Sequence, residues 1–314
     1  MLSEWQNWLV RFKTLVSQNR PLARLIAPVP NTVQEILKSG KTSKSTVVEY
    51  LVGADSSVVF TVEPSGRVAA TVLPVTRRQL ISQVSALLAT SGSTAQDAQR
   101  SRTLLQALSN ELLPPSVRNF LPKNPEQVVA IIPDGVLLNL PFAALIDQQG
   151  RYFIEQHTIT LASSIGVFLD SPLKPYSGIG VVVACPVAGN QEASLIFSAL
   201  GPDQVTRLVG GTDVTGLQEH ARGKSIVHLG SNLPITGNPM IAVVPLLPDK
   251  DDLNRKVIAN RLFGTNMPSD LVVLSGTSVN AKDVQGNAVK CFSRGLNYAG
   301  ARNVLMSLWL APDP

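Results

Sequence analysis

From residue 46 apolar residues fall in short β-branched runs, TVVEYLVG, SVVFTVE and VAATVLP, with Pro64-Ser65-Gly66 between the last two. This pattern predicts strands joined by tight turns, an antiparallel meander. Upstream the period is different. Trp5, Trp8, Leu9, Phe12, Leu15 and Val16 recur at helical spacing over residues 3 to 19, so one face of that helix must lie against something. A second short helix is expected after Asn31, capped by its side chain with Gln34 three residues on, and ending near Gly40. The polar loop SGKTSKS follows. Residues 1–44 therefore read as a helical lead-in, and with no second copy of the helix pair a repeat array is not demonstrated.

Two longer helical stretches are predicted at about 76–90 and 95–113, the second stopped by Pro114-Pro115. Beyond residue 126 short apolar runs alternate with helical segments. The strand candidates are QVVAIIPDG, HTITLA, GIGVVVAC, SIVHLG, DLVVLSG and NVLMSLW, with helices at 190–200, 213–222, 251–263 and 284–299. Strands apolar on both faces, alternating with helices, predict an α/β fold with a mainly parallel sheet covered by helices. The chain stops at Pro314 directly after the last strand, with no helix left to cover it, so the domain is expected to be truncated at its C-terminus.

Composition narrows the class. An apolar fraction of 44% over 314 residues supports a real core, and no apolar run approaches the roughly 20 residues that cross a bilayer. Neither does MLSEWQNWLVRFK have the apolar heart of a signal peptide, so a cytoplasmic protein without membrane association is expected. Net charge is +5, but the basic residues are not focused. Lys38, Lys41 and Lys44 lie in a loop, Arg77-Arg78 lie elsewhere, and no aromatics interleave to stack bases, so no nucleic-acid partner is expected. The two cysteines, Cys185 and Cys291, sit in separate apolar segments, and the histidines His157, His220 and His228 are scattered.

Cofactor and metal chemistry find little support. Gly178 and Gly180 precede their strand rather than forming the turn after it, so they do not cradle a phosphate at a helix N-terminus, and no P-loop occurs. Gly210-Gly211 reads as a turn before a helix capped by Thr212 or Asp213. No His or Cys pair has metal-ligand spacing, and Asp249, Asp251 and Asp252 read as a solvated helix start. No cofactor and no metal are expected.

Two strand ends, SIVHLGSN and DLVVLSGTS, fall where a nucleophile and a base would face each other across a crevice. Here a resemblance becomes specific. DLVVLSGTSVN followed by DVQGNAVKCFSRGLNYAGARNVLMSLW resembles the CHAT domain, a caspase-like peptidase module associated with tetratricopeptide repeats. Tyr298, Ala299, Gly300, Ala301, Arg302, Leu308 and Trp309 match the family's helix end and following strand. IIPDGVLLNLPFAAL, GRYFIEQHTIT and STVVEYLVG resemble its upstream segments in the same order, so the likeness runs from about residue 45 to the end. It implies a caspase-like α/β sandwich over 45–314, with the lead-in similar to the end of a helical-repeat scaffold.

The resemblance also implies a dyad, and this sequence departs from it. The family base is the second His of His-x-x-x-His-Gly, where His228 keeps the first and Asn232 replaces the second. The family nucleophile is the Cys of Ser-Ala-Cys, where Thr277 stands after Ser275-Gly276. A carboxamide has no lone pair that titrates near neutrality, and a mid-chain threonine lacks the amine that activates threonine nucleophiles. The segment after Thr277 keeps one glycine, Gly286, of the family's glycine-rich run.

His228 lies four residues before Asn232, on the order of 13 Å along a strand, and reads as a histidine hydrogen-bonded within the sheet. Cys291 shares a helical stripe with Ala288, Phe292, Gly295 and Ala299 and reads as core, and Cys185 ends a strand with no His or Lys beside it. Two functions stay open. One is a catalytically inactive pseudo-peptidase that binds or regulates a protein or peptide; the other is an active cysteine endopeptidase using a rearranged His228 and Cys291 pair. A third, a module that only docks neighbouring domains, would use Trp5 and Trp8 of the lead-in.

Overall fold

In this computed structural model the described residues are 31–39, 42–90, 94–170, 178–185, 191–209, 212–230, 234–235, 243–245, 256–258, 262, 264–276, 278–279 and 286–308, with Asn7, Val10, Arg11 and Thr14 of the lead-in. Those four lead-in residues are helical and exposed; Trp5 and Trp8 lie outside the described residues. The second lead-in helix, α1 (Val33–Lys38), starts one residue later than expected. Thr32 is its cap because the Thr32 hydroxyl accepts from Glu35 N at 3.2 Å while the Glu35 carboxylate accepts from Thr32 N at 2.8 Å.

The first sheet holds β1 (Ser45–Val52), β2 (Ser57–Val62), β3 (Val68–Leu73), β4 (Val128–Ile132) and β5 (Thr158–Leu161), in the order β3-β2-β1-β4-β5. The predicted meander is present, with β1 to β3 antiparallel, but β4 and β5 extend it in parallel. The expected parallel sheet is therefore divided, because β1 takes β2 on one edge and β4 on the other. Alternation along β1 sends Val48, Tyr50 and Val52 to a core with Leu73, Ile131 and Phe142, and Val47 to the opposite face with Ile36, Ala130 and Phe168.

Two helices cover the larger core, α2 (Arg77–Leu88) and α3 (Ala95–Leu112), as the periodicity predicts. Leu80, Val84 and Leu87 repeat every three or four residues and are buried, as are Leu105, Leu108 and Leu112. Pro114 and Pro115 end α3 and open the short α4 (Pro115–Arg118). The short helices α5 (Phe153–Gln156) and α6 (Ile165–Asp170) flank β5.

The second sheet is wholly parallel, in the order β14-β12-β8-β6-β7, and comprises β6 (Val181–Cys185), β7 (Val205–Val209), β8 (Ile226–Gly230), β12 (Ser269–Ser275) and β14 (Ala301–Met306). Its helices are α7 (Gln191–Leu200), α8 (Val214–Ala221) and α9 (Asn287–Tyr298). Asp213 caps α8, accepting from Gly216 N at 2.7 Å. β7 was not among the predicted strands; Arg207 interrupts its apolar run and Gly210-Gly211 drew attention to the turn instead.

The predicted helix over 251–263 is not formed as such, since β11 (Lys256–Ile258) pairs with β10 (Val243–Pro245). Val257 and Ile258 are β-branched, and their cross-strand pairing overrides helical periodicity. Asp249, Asp251 and Asp252 lie outside the described residues. A last pair, β9 (Pro234–Ile235) with β13 (Ser278–Val279), continues the β8 and β12 segments in parallel. The result is a mixed α/β molecule with two sheets flanked by helices, consistent with a caspase-like α/β sandwich. No helix among the described residues is long and apolar enough to cross a membrane.

Candidate functional site

In the parallel sheet the chain leaves β6 toward β7 and then returns past β6 to build β8, β12 and β14. The order thus reverses between β6 and β8, and the crevice beyond the carboxyl ends of those strands is where open parallel sheets bind ligands. Cys185 ends β6, Gly230 ends β8 and Ser275 ends β12, with Ser275 opposite Gly230 in the register. Glu192 enters from the first turn of α7.

The side chains of Ser275, Glu192 and His228 form one hydrogen-bonded group. Ser275 Oγ donates to Glu192 Oε2 at 2.7 Å, and His228 Nε2 lies 3.3 Å from both Ser275 Oγ and Glu192 Oε1. With the serine proton given to the carboxylate, Nε2 meets two oxygens and satisfies them by carrying a proton of its own. The imidazole is then a donor toward Ser275 and not its base. A relay of serine, histidine and acid would instead place the carboxylate on Nδ1. The group is a cross-link between two strands and a helix.

Electrostatics follow from the same contacts. The Glu192 carboxyl is held below its usual range, first by the hydrogen bond from His228 and then by Ser275, against the opposing effect of burial. Cys185 is buried, and burial together with the Glu192 charge pushes its thiol pKa up. A thiol so placed is a poor nucleophile at neutral pH. It also packs tightly: a Cβ on Gly230 would come within 2.5 Å of Cys185 Sγ, so a side chain at 230 would force Cys185 to move.

Among the residues singled out from the sequence, the structure treats each differently. His228 is buried with a polar environment within the sheet, beside Ser275 and Glu192. Cys291 lies on α9, partly buried against the apolar cluster that includes Val227, Leu229, Val272, Leu274 and Phe292. His228 alternates with Val227 and Leu229 along β8 and meets Glu192 of α7, so it occupies the other face of the sheet. The structure does not bring His228 and Cys291 together. Asn232 and Thr277 lie outside the described residues; the pairs Gly230–Ser275 and Pro234–Ser278 bracket them in sequence. No group of three or more His, Cys, Asp or Glu side chains among the described residues is arranged to hold a metal.

Two participants were missed by sequence reasoning. Ser275 stood inside the quoted strand-end motif, but Glu192 is 83 residues away from it in sequence and carried no local signal. Elsewhere the family-like segments acquire structural reasons. Pro133-Asp134-Gly135 follows β4, and Asp134 Oδ2 accepts from Val52 N at 2.9 Å, tying the end of β1 to that turn. Gly286 starts α9 at φ 63°, where an added Cβ would strike Leu138 and lie 2.7 Å from the Gly135 carbonyl. The one glycine retained after Thr277 is thus where the parallel-sheet half meets the first-sheet half.

No curated protein matches the chain. A family model for the CHAT domain matches residues 102–314, well over half of the sequence and including every residue of the polar group. The matched region begins within α3 and leaves β1 to β3 before it, although β1 shares a sheet with β4 and β5. With the two-sheet α/β architecture and the strand-end crevice in place, the chain belongs to the CHAT domain family, a caspase-like, peptidase-related module.

Proposed function

We propose that this chain is a CHAT module without cysteine-peptidase activity, which binds or regulates another protein. The observation that carries this reading is the pair of side chains at the family's dyad positions, Asn232 and Thr277. Neither takes up a proton near neutrality, and neither is a thiol. The neighbouring groups supply no replacement in this reading. His228 is engaged with Glu192 and Ser275, Cys185 is a buried thiol with a raised pKa, and Cys291 faces the other side of the sheet.

What remains at the strand ends is a crevice with hydrogen-bonding groups and no acid-base pair, which suits holding a peptide rather than cutting it. In this reading residues 1–44 form a separate helical lead-in that joins the module to a helical-repeat scaffold, and the protein works in the cytoplasm without nucleic acid. The test is a displayed peptide library panned against the purified chain. Enrichment that is lost in Asn232→Ala or Thr277→Ala supports binding at the strand ends; the absence of any enriched peptide that depends on either residue counts against it.

A further inference from the structure

A second cleft, of about 720 Å³, is lined by none of Cys185, Glu192, His228 and Ser275. It is lined by consecutive residues of two strands, 159–161 of β5 and 302–306 of β14. A sheet face exposes only alternate side chains, so consecutive lining residues mean that the cleft runs along strand edges. Both strands are edges: among the described residues β5 pairs with β4 alone and β14 with β12 alone.

The direction of the main-chain groups follows from the ladders. Ala162 N donates to Ile131 O at 2.9 Å, so by alternation the N–H groups of Ile159 and Leu161 point away from β4. Ser307 N donates to Leu274 O at 3.3 Å, so those of Val304 and Met306 point away from β12. Edges of this kind are usually blunted by lysine, proline or a covering loop. Here Leu161 is 48% and Leu305 60% exposed. The lining adds Phe142 and Leu140, and the charged residues among its described members, Lys44 and Arg302, are both basic. Arg302 faces Asp270 at 3.7 Å, Lys44 is exposed, and no carboxylate occurs among the described residues of the lining.

We propose that this cleft binds an extended peptide segment of a partner protein by strand addition, with apolar side chains at alternate positions and an acidic residue near Lys44. Outward N–H groups that pair with no strand among the described residues call for an extended backbone as occupant, and the apolar lining with Lys44 beside it selects its side chains. Strand addition needs no nucleophile, so the proposal stands apart from the reading of the strand-end crevice.

The test uses a fluorescein-labelled decapeptide selected from a random displayed library on the intact chain, with Leu305→Lys chain for counter-selection. Binding to the unaltered chain is then measured for peptides N-methylated at single positions. The expected result is a loss of about tenfold or more at alternate positions and little change at the intervening ones, since each edge hydrogen bond is removed in turn. Leu161→Pro, which removes an outward N–H from an edge strand, should weaken binding similarly. Indifference to N-methylation, or no peptide that distinguishes the Leu305→Lys chain, would overturn the proposal. So would a concentration-dependent dimer in sedimentation velocity that Leu305→Lys abolishes, because a second copy would then cover the edge. Unchanged binding in Asn232→Ala and Thr277→Ala is expected, and keeps this test independent of the other site.

Discussion

Ser275 gives its hydrogen bond to Glu192 at 2.7 Å, although His228 Nε2 stands 3.3 Å from the same oxygen. The shorter bond goes to the carboxylate, a charge-assisted contact of roughly twice the strength of a neutral one. The serine is thus tied down where a nucleophile would need to be released, and the three side chains join β8, β12 and α7.

Removing the carboxylate should therefore loosen the tie between α7 and the interior strands β8 and β12. Glu192→Ala leaves the buried His228 imidazole and the Ser275 hydroxyl without their acceptor, and should cost about 1–3 kcal/mol. Ser275→Ala, which leaves the contact between Glu192 and His228, should cost less. Urea unfolding of the two variants gives the order, and equal costs would mean that the group is not organised around Glu192.

The same carboxylate gives a pH signature. Its pKa is lower folded than its ordinary value, so its contribution is present above the ordinary carboxylate range and lost as pH falls through the folded value. Glu192→Gln should flatten the loss of stability in that acid window. Thermal unfolding across the acid range checks it.

Glu49 has the opposite sign. Burial, with the Asp134 charge beside it, raises its pKa above 4.5. The folded state thus prefers the protonated acid, and stability is lost as pH rises through the raised value. Glu49→Gln should raise the melting temperature at neutral pH and have little effect below the ordinary carboxylate range. A destabilised variant at neutral pH would show that Glu49 holds an ion pair instead.

Gly286 is the third structural test. A side chain there meets Leu138 and the Gly135 carbonyl at a backbone φ of 63°, so Gly286→Ala should cost about 1–3 kcal/mol. Gly264, where an added Cβ meets none of the described residues within 4 Å, is the control and should tolerate alanine. Comparable costs at both positions would remove the reason offered for this glycine.

Much of this was legible in the sequence where local signals were strong. Leu80, Val84 and Leu87 announced a helix by spacing alone, and the TVVEYLVG, SVVFTVE and VAATVLP runs announced the meander. What the sequence could not carry was pairing between distant strands: nothing in QVVAIIPDG says that β4 joins β1 rather than the later parallel strands. The site divides in the same way. His228 and Ser275 sat in motifs at strand ends, and Cys291 on its apolar helical stripe was readable as core, where it packs. Glu192 was invisible because only the crossover from β6 into α7 brings it to β12.

The central claim, that the module lacks a working dyad, is tested most directly by incubating the purified chain at neutral pH with iodoacetamide and an electrophilic peptide probe. Modified residues are mapped in the native chain and in His228→Ala. The expectation is no modification that depends on His228 and no reaction at the buried, raised-pKa Cys185 of the folded protein. Selective labelling of Cys291 that disappears in His228→Ala, accompanied by cleavage of a polypeptide substrate, would contradict it.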